Sequence, residues 1–212
     1  MPVIYESIGL YGGNARIVQY RNGEIAYHDE SPPPVAHGVI GRRYVETMAA
    51  MLRRVDREER GKMARAAAWA RESRARGARL YMYSMGHLFP DEVEKTAIGG
   101  VFRSAVWNAG FRASPKPEDV FGADDFVALI GYQHPPDDLL RRARPAGARV
   151  AYLALYADRD FVRDDGVLWI DPMWPWADAC VPIEGYDVPL LAASGILNGA
   201  IAWELYRLTC GE

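Results

Sequence analysis

The sequence predicts an α/β protein, a three-layer α/β/α sandwich around a five-stranded parallel sheet with an N-terminal β-hairpin appendage. Three observations lead there. Segments with apolar residues at helical spacing alternate with short apolar runs, the grammar of a sheet covered by helices on both faces. Those runs, "LYMY", "FVALIGY" and "VAYLAL", are apolar throughout, as strands buried on both sides are. And "DDFVALIGYQHPPDDLLRRARPAGARVAYLALYAD" reads without a break as strand, loop, short amphipathic helix and second strand, a βαβ unit.

In chain order, "ARIVQYRNGEIAYHDE" alternates on either side of Asn22 and Gly23, a dipeptide favoured in tight hairpin turns, and predicts a hairpin over about Arg16 to His28. "SPPPVAHG" cannot sustain a helix or a central strand, so residues 1–38 read as appendage and linker and residues 39–212 as the α/β domain. From Gly41 to Arg76 apolar residues recur at three and four, a helical pair or one bent helix around Arg60 and Gly61. A strand follows from Leu80, a second is expected around Val101 to Trp107, and the βαβ unit comes next. "GVLWID" and "ACVPI" are further short apolar runs, and "VPLLAASGILNGAIAWELYRLTCGE" predicts a long closing helix whose small residues permit close packing.

Composition excludes several classes. With 212 residues, 50% of them hydrophobic, the chain can bury a full core. A formal net charge of −3 gives no reason to expect nucleic acid, since the arginines between Arg53 and Arg79 are interrupted by Asp56, Glu58, Glu59 and Glu72 at helical spacing, which suits a solvated face. Two cysteines, Cys180 and Cys210, are too few for a disulfide framework and lack metal-ligand spacing. No basic region precedes an apolar one at the N-terminus, and no run approaches the length of a membrane span, so a soluble, cytoplasmic protein without membrane partners is expected.

Ligands of parallel sheets bind beyond the carboxyl ends of the strands, and two loops qualify, "SMGHLFPDE" and "GYQHPPDD". With the closing segment "SGILNGAIAWELYRL", these pieces resemble, in order and spacing, the sugar isomerase (SIS) domain family of phosphoheptose and arabinose-phosphate isomerases and related regulators. The resemblance covers about Gly41 to Leu208. It implies a flavodoxin-like sandwich that binds a sugar or sugar phosphate, forms a homodimer or homotetramer, and needs no cofactor. The family's second loop cradles phosphate with serine and threonine hydroxyls; here Gly131, Tyr132, Gln133, His134, Pro135 and Pro136 stand there, so the phosphate loop is altered.

The candidate residues follow. Ser84, Met85 and Gly86 lie where a strand turns into a helix, and glycine there lets backbone approach a ligand. His87 and His134 follow different strands at one expected sheet edge, and histidine is a residue type suited to the proton transfer between sugar carbons that isomerisation requires. Glu92 stands where related isomerases place a basic glutamate, although a carboxylate in a first helical turn is also a plain dipole partner. Gln133 offers an amide to an anion, while Glu184 beside Trp174, Trp176 and Tyr186 has the make-up of a sugar-stacking segment or of ordinary packing. Ser194 opens the closing helix. A zinc site of the histidines with Asp91 or Glu92 is a lesser alternative, and no metal is expected. Ser84 within "MYSMG" also approximates a nucleophile elbow, but no histidine follows the last strands, as a hydrolase triad would require. The reading is a sugar-phosphate-binding protein, as an isomerase working through an enediol or as a non-catalytic sensor or scaffold.

Overall fold

The computed structural model describes residues 13–24, 33–85, 90–106, 121–132, 137–155, 167–175, 178–186 and 189–211. The elements are α1 (Gly13–Arg21), α2 (Val39–Ala75), β1 (Leu80–Met85), α3 (Pro90–Glu94), a 3₁₀ turn (Ala97–Gly100), β2 (Arg103–Val106), β3 (Phe126–Tyr132), α4 (Asp137–Ala143), β4 (Arg149–Leu155), β5 (Val167–Trp169) and α5 (Ser194–Cys210). The five strands form one sheet in the order β2-β1-β3-β4-β5, every pair parallel. This is the α/β fold class the apolar runs predict. Chain contacts divide it into two compact units, residues 1–50 with 175–193, and residues 51–174 with 194–212.

The second unit holds the sheet. Side chains alternate across it, and Tyr81, Tyr83, Val127, Leu129, Val150, Tyr152 and Ala154 build one buried face with Phe121 and with Leu140 and Ala143 of α4. Met82, Ser84, Ala128, Ile130, Ala151 and Leu153 therefore point to the opposite face, and all are buried. Crossovers from β1 to β2 and from β3 to β4 run in opposite directions, and right-handed connections then put α3 on the face that α4 does not occupy. Residue contacts link α5 to β3 and β4, with Leu197, Asn198, Ile201, Ala202, Leu205 and Thr209 buried. Of the two expectations around Arg60 and Gly61, a helical pair or a single bent helix, the chain forms one helix, α2, closed where "RARGAR" brings in a glycine.

At the amino end of the sheet Arg79 and Asp125 immediately precede β1 and β3. Asp125 Oδ1 accepts the Arg79 backbone N–H at 2.9 Å, its Oδ2 accepts from Arg79 Nη2 at 2.6 Å, and the Gly122 N–H reaches Oδ2 at 2.8 Å. Burial pushes this carboxyl's pKa up, but the Arg79 and backbone hydrogen bonds outweigh it and hold the group below its ordinary 3.8.

Three expectations are corrected. Gly13–Arg21 is a helix, not the first arm of a hairpin, and the second arm lies outside the described residues. Gly23 has φ 71, and its N–H reaches Tyr20 O while the Glu24 N–H reaches Gln19 O, the paired bonds that end a helix on a left-handed residue. The dipeptide suits either role because a glycine at positive φ serves a hairpin turn and a helix terminus alike. "ACVPI" contributes an isolated antiparallel bridge, Val181 to Leu190, and no strand of the sheet. The closing helix starts at Ser194, later than "VPLLAAS" suggests, because Leu191 has φ 63, outside any right-handed helix.

In the first unit the segment from Pro175 to Ala193 is fastened by polar contacts. The Tyr44 hydroxyl donates to Ala192 O at 2.6 Å, Arg43 donates to Pro182 O at 3.2 Å, and the Ala193 N–H donates to Asp178 Oδ1 at 2.9 Å. Burial, then the neighbouring Asp178, pushes the Cys180 thiol from 9.0 to about 11, so it stays protonated and unreactive at neutral pH. The proline stretch read as a linker takes part: Pro33 O accepts from the Tyr186 hydroxyl at 3.2 Å. Gly185 has φ 79, and a Cβ on it would lie 2.5 Å from Pro33 Cγ. Gly185→Ala is therefore expected to destabilise this unit by at least about 1–2 kcal/mol from the left-handed backbone alone, with the clash in addition. Faster amide exchange at Val181 and Leu190 in that variant is the reading to look for; unchanged exchange would mean the contact carries no weight.

Candidate functional site

The order β2-β1-β3-β4-β5 reverses direction between β1 and β3, and the crevice beyond the carboxyl ends of such a strand pair is where open α/β sheets bind ligands. The register puts Ser84 opposite Ile130 and Met85 opposite Gly131. The two loops singled out in the sequence therefore leave adjacent strands at the switch point. Gly86, His87, Gln133 and His134 lie outside the described residues, and Met85 is described in backbone only.

What is described at this corner is polar and buried. Ser84 is 1% exposed, and its Oγ has no hydrogen-bond partner among the described residues. It shares the α3 and α5 face of the sheet with Met82, while its neighbour Tyr83 faces the α4 core. An unmet buried hydroxyl costs about 1–3 kcal/mol, so its position at the end of β1 calls for an explanation other than packing.

Glu92 is half-buried in α3, directly after the first loop. Its backbone carbonyl accepts from Thr96 Oγ1 at 2.5 Å, and the Thr96 hydroxyl also accepts the Ile98 N–H at 3.3 Å, which turns the chain from α3 toward β2. The Glu92 carboxylate lies against α5: a Cβ on Gly199 would stand 3.1 Å from Glu92 Oε1. Alanine is favoured over glycine in a helix by about 1 kcal/mol, so a bare glycine at buried position 199 makes room for this carboxylate at some cost to the helix.

Beside Gly199, Asn198 is fully buried and its Oδ1 accepts from Trp174 Nε1 at 3.3 Å. Trp174 is reached through a tight turn after β5, in which Asp171 Oδ1 accepts the Met173 N–H at 2.8 Å and Met173 takes φ 64. The sequence assigns Asn198 no role in binding and leaves Trp174 open between sugar stacking and ordinary packing. The structure buries Trp174 at 2% exposure, so its ring is core and its N–H orients the amide. Ser194, at the start of α5, is also buried. Glu184 is exposed in a turn of the first unit.

A groove of about 420 Å³ between α2 and α5 is lined by Leu52, Val55, Met63, Ala200 and Ile201, with Asp56, Arg60, Glu204 and Arg207 among its polar residues. It contains no strand-end residue. Its charges already pair, Arg60 with Asp56 at 2.5 Å and Arg207 with Glu204 at 2.8 Å, so the switch-point corner is the better site. Among the described residues no three His, Cys, Asp or Glu side chains gather as a metal ion would require, and no helix is long and apolar enough to cross a membrane. No protein-family model matches this sequence, and no curated protein sequence matches it.

Proposed function

We propose that this chain binds a sugar or sugar phosphate at the carboxyl edge of β1 and β3, as a sensor or binding module built on a SIS-like sheet. One observation carries the reading: a buried serine hydroxyl, Ser84 Oγ, without a hydrogen-bond partner at the end of β1 on the switch point. A ligand hydroxyl or phosphate oxygen would satisfy it. Glu92 and the residues of the two loops, His87, Gln133 and His134, supply acceptors and donors of the kind a polyol requires.

The non-catalytic form is favoured by the second loop, in which Gln133, His134, Pro135 and Pro136 offer no hydroxyl and the two prolines offer no N–H. Isomerisation through an enediol needs an acid/base pair. Glu92 beside Gly199 is one candidate member, with His87 or His134 as the other.

The test is a thermal-shift series in which each sugar phosphate is set beside its parent sugar. A ligand held only by the native state raises the melting temperature with the logarithm of its concentration, by about 2.7 kcal/mol of stabilisation at a hundred times Kd. A shift that is weakened in Ser84→Ala supports the reading. Wild type unmoved by every sugar phosphate and every parent sugar would overturn it.

A further inference from the structure

β2, the short edge strand, carries a second hydroxyl in the same condition. Ser104 Oγ is buried and, like Ser84 Oγ, has no hydrogen-bond partner among the described residues. The two are related by the sheet. Ser104 is paired with Met82, two residues before Ser84, and paired residues of parallel strands point to the same face. Both hydroxyls therefore lie on the face opposite Tyr81 and Tyr83, the one covered by α3, as diagonal neighbours about 7–8 Å apart at Cα.

Two unmet hydroxyls on one buried face of a sheet are costly. Met82 and Ile130 are fully buried on the same face, and Phe102 and Phe126 stand nearby with ring centroids 6.5 Å apart. Residue contacts link α3 to β2, and α3 sets the Glu92 carboxylate against Gly199 of α5. This face of the sheet thus carries two hydroxyls, and the helix over it carries a carboxylate. That set is suited to a neutral polyol, whose hydroxyls donate to the carboxylate and accept from the serines. It is unsuited to a phosphate, which the carboxylate repels.

We propose that Ser84 and Ser104 form a hydroxyl pair that receives the polyol end of the ligand, with the phosphate, where there is one, directed away from Glu92. This rests on the sugar reading above. The pair leaves the empty protein less stable than it would be with methyl groups in these places, because an unsatisfied buried hydroxyl is costlier than an apolar group of similar shape.

The experiment melts wild type, Ser84→Ala and Ser104→Ala without ligand, then with sugar phosphates, parent sugars and inorganic phosphate. The expected result is a higher melting temperature for each ligand-free variant. Each variant should also need about tenfold more of the responding sugar or sugar phosphate to reach the wild-type shift, the loss of one hydrogen bond. Any shift given by inorganic phosphate alone should be the same in Ser104→Ala as in wild type. A lower ligand-free melting temperature for Ser104→Ala would mean that its hydroxyl is satisfied within the fold, and would overturn the inference. So would an unchanged sugar response in that variant, or a selective loss of its response to inorganic phosphate. Wild type that answers to nothing in the series overturns the sugar reading and this inference together, an outcome distinct from the others because it appears before any variant is compared.

Discussion

Asp125→Ala is expected to lower the stability of the sheet unit by about 2–3 kcal/mol, since it removes the buried partner of a half-exposed arginine and the acceptor of two backbone N–H groups. Asp125 is 3% exposed and accepts from the Arg79 side chain and from the backbone N–H groups of Arg79 and Gly122. Without the carboxylate the guanidinium and two N–H groups lose their common acceptor at the amino ends of β1 and β3. Wild type has a matching pH signature. Because the folded carboxyl titrates below its ordinary 3.8, its contribution is complete above that value and is lost as pH falls through the depressed folded pKa. Urea unfolding at pH 7 and again near pH 3 measures both. A variant as stable as wild type at pH 7, or one whose deficit persists undiminished in acid, would contradict this account. Ligand response should survive wherever the variant is folded, because these groups sit at the sheet edge opposite the candidate site.

Trp174→Ala is expected to cost about 3–5 kcal/mol, the range for truncating a large buried aromatic side chain. Trp174 is 2% exposed and donates from Nε1 to Asn198 Oδ1 at 3.3 Å, so the variant loses ring packing and one buried hydrogen bond. Trp174→Phe separates the two. It retains most of the apolar bulk and removes the donor, and should cost about 1–2 kcal/mol. Chemical denaturation of both variants gives the comparison. Equal losses would mean that the hydrogen bond, rather than the packing, holds this corner. If Asn198 also helps orient the ligand, Trp174→Phe should weaken the sugar response beyond what its stability loss predicts.

Much of this was legible in the sequence because it is written locally. Apolar runs such as "FVALIGY" bury both faces of a strand, and an amphipathic stretch like Arg53 to Ala75 needs only its own spacing to declare a helix. Ser84 was visible as the residue on which a strand turns toward a helix, and Glu92 as a carboxylate in the helix that follows. Where local chemistry serves two ends the sequence misled. Asn22 and Gly23 suit a hairpin turn and a helix terminus equally, and "ACVPI" is as good a run for an isolated bridge as for a strand.

The sequence by itself determined the alternation of helices and strands, the parallel sheet, and the pair of loops that follow its first and third strands. Only the tertiary structure decided that these loops leave adjacent strands, that Ser84 and Ser104 share a face, and that Glu92 meets Gly199. The physical reason is range. A strand or helix is set by spacing within a few residues, whereas register, facing and the burial of a hydroxyl are set by elements far apart in the chain. Ser104, in the unremarkable run "FRSAV", carries no signal until β2 is laid beside β1.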